Sequence, residues 1–329
     1  MTSRLSRVSR TVPLWIAIPL AMLCGSGIAV QSQINGQLGL HLHDGVTAAV
    51  ISFGSGLLIL IITLLFVPQG RRGLGRVRTA LVTRQMPWWY VCGGVAGGFF
   101  VLSQGVTVAV LGVALFTVAV VAGQTVSGLI LDRIGLGPSG AHPLTPARIT
   151  GAIIAVIAVT WAVSAELGGS VPGWMLILPL IAGLGLGWQQ AVNGQVRVRS
   201  DSVLTATFIN FFVGTTMLVI VMLIDWSLNG LPHLPPPEPW LYIGGSIGCL
   251  AIAGSAFLVR FTGVLLLGLS MLAGQLVAAL VIDLTISVGH AGVPISTLGG
   301  TLLAFVAVLV ASVRWTRREH QPKSPQPAE

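Results

Sequence analysis

The chain has 329 residues, of which 54% are hydrophobic and only 8% charged. A soluble domain carries about 25% charged residues and its core could not absorb so much apolar surface, so the soluble classes are excluded. The formal charge of +8, from 17 Lys+Arg against 9 Asp+Glu, would point a soluble chain to nucleic acid; here it reads as membrane orientation, and no nucleic-acid partner is expected.

The apolar stretches are continuous over about twenty residues, the length that crosses a hydrocarbon core as a helix. They lack the strict alternation of a β-barrel. An all-α integral membrane protein is therefore expected. Residues 1–11 form a basic tail with Arg4, Arg7 and Arg10, and the first span covers 12–34. Leu23 stands before Cys24 where a lipobox needs a small residue, so this span is read as uncleaved. The second span is 45–67.

Residues 69–86 make the longest inner loop. Leu74, Val77, Leu81 and Val82 lie at helical spacing opposite its arginines. The segment is read either as an amphipathic helix on the anionic leaflet or as a disordered basic loop. From Val91 to Leu131 there is no charged residue. One helix of that length would reach about 62 Å, twice the core thickness. The stretch must fold back, with Gly112 as the turn, into spans 88–109 and 111–132. Five further regions follow at 147–165, 172–196, 203–225, 239–260 and 262–286. The proline-rich loop Leu231–Pro239 should be stiff and extended. The last span is 294–315, before a tail at 316–329. The count is ten.

With the N-terminus inside, every Lys and Arg falls in an inner segment, from Arg4 to Lys323. That obeys the positive-inside rule and places both termini in the cytoplasm. Arginine dominates over a single lysine, which points to a GC-rich bacterial genome and to the bacterial plasma (inner) membrane.

The two halves match each other. At an offset of 158, Gln31, Asn35, Gly36 and Gln37 align with Gln189, Asn193, Gly194 and Gln195. Thr47, Phe53 and Gly56 align with Thr205, Phe211 and Gly214. At offsets of 152 and 151, Pro87-Trp88 aligns with Pro239-Trp240, and Gly112, Gly123, Gln124 and Asp132 align with Gly263, Gly274, Gln275 and Asp283. Each half, 12–166 and 171–315, holds five spans. An odd number makes the second half enter from the opposite side. The result is an inverted-topology repeat, an arrangement used by secondary transporters with a midplane site at the repeat interface.

These paired Gln-x-x-x-Asn-Gly signatures, Pro-Trp-x-Tyr starts and Gly-Gln…Asp pairs resemble the drug/metabolite transporter superfamily, and within it the YdcZ-like branch, over roughly residues 14–315. The resemblance implies a central cavity lined by spans 1, 3 and 4 of each repeat, closed by the fifth, and implies export more often than uptake. Small multidrug-resistance relatives carry an essential glutamate in the first span. This chain has no acidic residue in spans 1 or 6, a departure from the pattern on which proton coupling by that route depends.

Gln124 and Gln275 fall near mid-bilayer, where a neutral amide must face protein or a water-filled cavity. They are read as cavity amides for a polar substrate, or as interhelical hydrogen bonds. Gln31 with Asn35, and Gln189 with Asn193, share helical faces at opposite ends of their spans. These pairs are read as two gates, or as hydrated span ends with Asn-Gly as the helix stop. Asp132 and Asp283 are the symmetry-related carboxylates and the coupling candidates. Asp132 adjoins Arg133, while Asp283 is read as a protonation site or an outer-edge residue.

Cys24, Cys92 and Cys249 read as packing residues, and Gly-x-x-x-Gly pairs such as Gly93/Gly97 and Gly244/Gly248 as helix contacts. Trp15, Trp88, Trp174, Trp240 and Trp315 read as interfacial anchors. His41, His43, His142, His233, His290 and His320 fall in loops or the tail, and no metal site or cofactor is expected. No nucleophile–base pair lies in the spans, so no enzyme is expected. The expected function is secondary transport of a small polar or amphipathic organic solute, most readily export, by alternating access. The alternative is a non-transporting scaffold or receptor component. Membrane lipids are expected partners, and a homodimer is left open.

Overall fold

The computed structural model describes residues 12–138, 140–141, 145–164, 172–285 and 295–312. The two terminal tails, His142, His290, His320 and Trp315 lie outside them. The described secondary structure is helical: α1 (Leu14–Leu42), α2 (Gly45–Phe66), α3 (Pro68–Val82), α4 (Gly93–Leu111), α5 (Val113–Ile134), α6 (Pro146–Ser164), α7 (Gly173–Ser200), α8 (Val203–Asn229), α9 (Gly244–Thr285) and α10 (Ile295–Ser312). Among the described residues seven helical segments are long and apolar enough to cross a membrane, and shorter apolar helices lie at Ile149–Ala162, Gly244–Ser255 and Ile295–Val310. The chain is an all-helical membrane protein.

The first turn of each half is built the same way. His43 and Asp201 take left-handed conformations (φ 51° in both) and end α1 and α7. The next residue then caps the following helix. The Asp44 carboxylate accepts from Val46 N at 2.8 Å, Thr47 N at 3.0 Å and the Thr47 hydroxyl. Ser202 Oγ accepts from Thr205 N at 3.2 Å. Caps of this kind satisfy amides that the first helical turn leaves free.

Three expectations need correction. First, α1 and α7 do not stop at Asn35-Gly36 and Asn193-Gly194 but run on to Leu42 and Ser200. Those glycines serve close packing instead: Gly36 sits against Val108 and Gly194 against Pro138. Second, the basic segment is a helix, α3, one of the two readings given for it, but the face it buries is Gly70, Gly73, Val77 and Ala80, which shares only Val77 with the face expected. Val82 is 75% exposed. The face was shifted because two glycines, silent in a hydrophobic pattern, are what let α3 approach Ser202, Leu204 and Thr205. Third, Gly112 breaks the chain between α4 and α5 at φ 76° as expected, but the expected spans 239–260 and 262–286 form one continuous helix, α9.

That helix is nonetheless not straight. Cys24 packs on Gly254, and Gly25 next to it packs on Met271, seventeen residues further along α9. A straight helix would hold those two positions about 25 Å apart. Leu258 and Leu267 also share one cluster with Ala17 and Ala21. So α9 bends back on itself between Leu258 and Leu267.

The halves interleave. In the first half α4 lies on α7 and α8 of the second, and the beginning of α9 lies on α1 and α2 of the first. The contacts are equivalent ones. Gly94 touches the Asn210 carbonyl and Gly214 N, while Gly245, 151 residues later, touches the Ser52 carbonyl and Gly56 N. Between these two contacts Phe53 and Phe211 stack at 4.8 Å in the core. The last helix of each half, α6 and α10, pair through Gly299 and Gly300 against Trp161, Ala158 and Ala162.

Candidate functional site

Polar side chains that a membrane interior tolerates only with partners gather in two clusters, one beside the first turns of α4 and one just past its middle. The first joins α1, α2 and α4. Asn35 Nδ2 donates to Gln104 Oε1 at 2.7 Å, and Gln104 Nε2 donates to Ser32 Oγ at 2.7 Å. Gln31 and Ser52 are buried beside them. The second joins α7 and α8, where Asn210 Oδ1 accepts from Gln189 Nε2 at 2.9 Å and from Asn193 Nδ2 at 3.0 Å. Gly94 borders the second cluster and Gln104 belongs to the first, so the two stand about 15 Å apart along α4.

Each cluster makes its bonds within one half of the chain and faces a glycine wall from the other. A methyl group at Gly244 would come within 2.6 Å of Asn35 Oδ1, and one at Gly248 within 2.8 Å of Gln31 Nε2. Likewise methyl groups at Gly93 and Gly97 would come within 2.8 Å of Asn193 Oδ1 and Gln189 Nε2. Glycine offers close approach and no side-chain partner. As a result Asn35 Oδ1, Ser52 Oγ, Gln189 Oε1 and Asn210 Nδ2 are buried without a hydrogen bond.

Magnitudes show what such clusters do. An interhelical hydrogen bond in a membrane contributes about 0.6 kcal/mol on average. A buried unsatisfied polar atom costs about 1–3 kcal/mol. Two bonds against two orphaned atoms per cluster leave a net cost, so these groups are poor glue. Buried polar atoms of this kind are the ones that water or a polar ligand satisfies when the walls part.

The structure thus brings Gln31 to Asn35 and Gln189 to Asn193 as the sequence spacing predicts. Gln104, Asn210 and Ser52 are additions that sequence reading missed. The signal was present, because an Asn or Gln inside an apolar span is rare. Comparing the halves concealed it: the position matching Asn210 is Ser52, and the one matching Gln104 is Ser255.

Gln124 and Gln275 occupy equivalent places on α5 and α9, which pack together through a cluster including Val118, Val121, Leu272 and Leu276. Gln275 is buried with Nε2 unpartnered, and Gln124 is half-buried. No hydrogen bond joins the two. Asp283 is not a free edge carboxylate. It accepts from Val113 N at 3.0 Å and Ala114 N at 2.6 Å, capping α5 just after Gly112. Asp132 sits half-buried in the last turn of α5 beside Arg133. Among the described residues no group of three or more His, Cys, Asp or Glu could hold a metal ion.

Comparison with known proteins agrees with this architecture. One crystal structure, described only as that of a protein, aligns over 90% of this chain and 95% of its own length with a TM-score of 0.53 at 16% identity. At that identity the likeness speaks for the fold alone. No curated protein matches the chain. The sequence profile of the YdcZ branch of the drug/metabolite transporters, described as "Putative inner membrane exporter, YdcZ", matches residues 16–161 and again 174–313. The chain, an inner-membrane protein with mirrored polar clusters on interleaved halves, therefore belongs to the YdcZ family of drug/metabolite transporters.

Proposed function

We propose that this protein exports a small, uncharged polar or amphipathic organic solute by alternating access between two inverted five-span repeats, 12–166 and 171–315, with both termini cytoplasmic. The family's description as an exporter supports the direction, and its double match along the chain supports the repeat. One observation carries the mechanism: each end of the fold has a polar wall with unsatisfied buried atoms set against a glycine wall from the opposite half. Parting one wall exposes Asn35, Ser52 and Gln31; parting the other exposes Asn193, Asn210 and Gln189. These groups are the two gates, and the solute meets them in turn.

The solute class follows from the chemistry on offer. Amides and hydroxyls both donate and accept, and neither cluster contains a charged residue. Gln275, with its orphaned amide, and Gln124 are the midplane contacts. Asp283 is assigned to holding the start of α5 rather than to ion coupling.

The test is thermal unfolding of the detergent-purified protein across metabolites, nucleosides, amino acids and cationic drugs. A ligand at 100 times its Kd adds about 2.7 kcal/mol. Stabilisation of wild type that falls in Gln275→Ala and Asn193→Ala, followed by counterflow of the same compound in liposomes, is the expected outcome. Stabilisation without flux, or no stabilisation by any compound alongside no flux, returns the protein to the non-transporting scaffold reading.

A further inference from the structure

A cleft of about 670 Å³ opens where α2 passes into α3 and meets the α7–α8 turn. Its walls are of two kinds. Val67, Val198, Val203 and Leu204 are apolar, while Gln69, Arg197, Asp201 and Ser202 are polar. The polar wall is largely committed already. Gln69 Nε2 donates to the Asp201 carbonyl at 3.0 Å, and Ser202 Oγ caps α8. The Asp201 carboxylate is held by Arg76 at 3.2 Å. That leaves Arg197, half-buried and with no acidic partner among the described residues.

The surroundings share this imbalance. Between Asp44 and Asp132 the chain has no acidic residue, yet α3 and the turn after it expose Arg71, Arg72, Arg78 and Arg84. Phe66 and Trp88, which bracket this segment, are 79% and 72% exposed. Aromatic rings beside arginines mark the depth of a membrane's headgroup layer. The cleft therefore lies at that depth, with Val67 of its apolar wall following the exposed Leu65 and Phe66 in the chain.

We infer that the cleft binds one anionic glycerophospholipid, its phosphate paired with Arg197 and an acyl chain laid along Val198, Val203 and Leu204. Guanidinium and phosphate pair through charge-assisted, bidentate hydrogen bonds. The exposed arginines of α3 raise the local concentration of anionic lipid by about 1 kcal/mol per charge, but they fix no single molecule. A soluble anion would leave the apolar wall wet, so the occupant is a lipid rather than free phosphate. Binding there ties the α2–α3 junction to the α7–α8 turn. The inference needs only a membrane-embedded chain and stands apart from the transport proposal, since its readout involves no solute.

The experiment is native mass spectrometry and thermal unfolding of the full chain, delipidated in detergent and titrated with phosphatidylglycerol, phosphatidylcholine or inorganic phosphate. Wild type should retain one phosphatidylglycerol and unfold at higher temperature with it, but not with the other two. Arg197→Gln should weaken that retention at least tenfold. The double variant Arg71→Gln/Arg72→Gln should keep the single tight lipid and lose only weaker, additional ones. Should Arg197→Gln fail to fold, Val198→Glu is the substitute, because Val198 is 62% exposed and a carboxylate there repels the phosphate. Equal retention of the two lipids, a shift reproduced by phosphate alone, or retention unchanged in Arg197→Gln or Val198→Glu would each overturn the inference.

Discussion

At Asp283 a carboxylate near the end of one apolar span reaches the start of another. It accepts two amides of α5 that no intrahelical carbonyl can satisfy. Charge and geometry both favour an anion there, because the helix N-terminus carries partial positive charge. Asp283→Leu should destabilise the protein by about 1–2 kcal/mol, with Asp283→Asn in between, read as the loss in thermal unfolding. Transport by Asp283→Asn should persist, and its abolition in a stably folded variant would restore Asp283 as a coupling group. The sequence showed that Asp283 had no nearby cation but could not show its partners, Val113 and Ala114, some 170 residues away. The same blindness hid Gln104. Its bond to Asn35 spans 69 residues, and no local periodicity encodes it.

At the scale of elements, glycine decides what hydrophobic patterning cannot. In α3 the glycines define the docking face, and in α4 and α9 they form the walls that the polar clusters meet. A methyl group at Gly245 would overlap the Ser52 carbonyl, and overpacking of this kind costs about 1–3 kcal/mol. Gly245→Ala should therefore force α9 away from α2 and open the first gate. Cys249 reports it: the thiol is buried and lies 3.4 Å from the Gly56 carbonyl. In a background carrying Cys24→Ser and Cys92→Ser, maleimide labelling of Cys249 should rise roughly tenfold on Gly245→Ala, the equivalent of about 1.4 kcal/mol in opening. Labelling unchanged in a folded variant would separate this contact from gating.

α3 itself holds the other end. Its Arg76 donates to the Ser200 carbonyl at 3.0 Å, and the Gly70 carbonyl accepts from Thr205 Oγ1 at 2.8 Å. On the opposite face of the molecule the Trp226 indole donates to Thr47 Oγ1 at 3.0 Å, and His233 stacks on His43 at 4.3 Å. Equivalent turns are thus held by unlike devices, a helix in one half and a tryptophan with a proline-rich loop in the other. The repeat in the sequence ended where these connections begin, so it gave no sign of them.

Taken whole, the molecule is two halves that cover each other's polar clusters. Each half exposes a buried polar cluster and several backbone contacts if its partner is removed. Chains split between residues 166 and 171 should not survive detergent extraction singly. Co-expressed, they should copurify as a folded pair, measured by affinity capture of one half through a tag on the other and by a single unfolding transition. Two independently stable halves would contradict the interleaved packing.

The sequence by itself determined the membrane class, the helical architecture, the repeat and the shared helical faces of Gln31 with Asn35 and of Gln189 with Asn193. Those properties follow from composition and from spacing along one helix, which are local. Tertiary structure alone decided that α9 runs through Gly263 without a break, that Gln104 and Asn210 complete the clusters, and that Asp283 caps α5. Each of those depends on which distant backbone comes close, and in a membrane that is decided by small residues and shape, because lipid gives apolar side chains no reason to prefer one another.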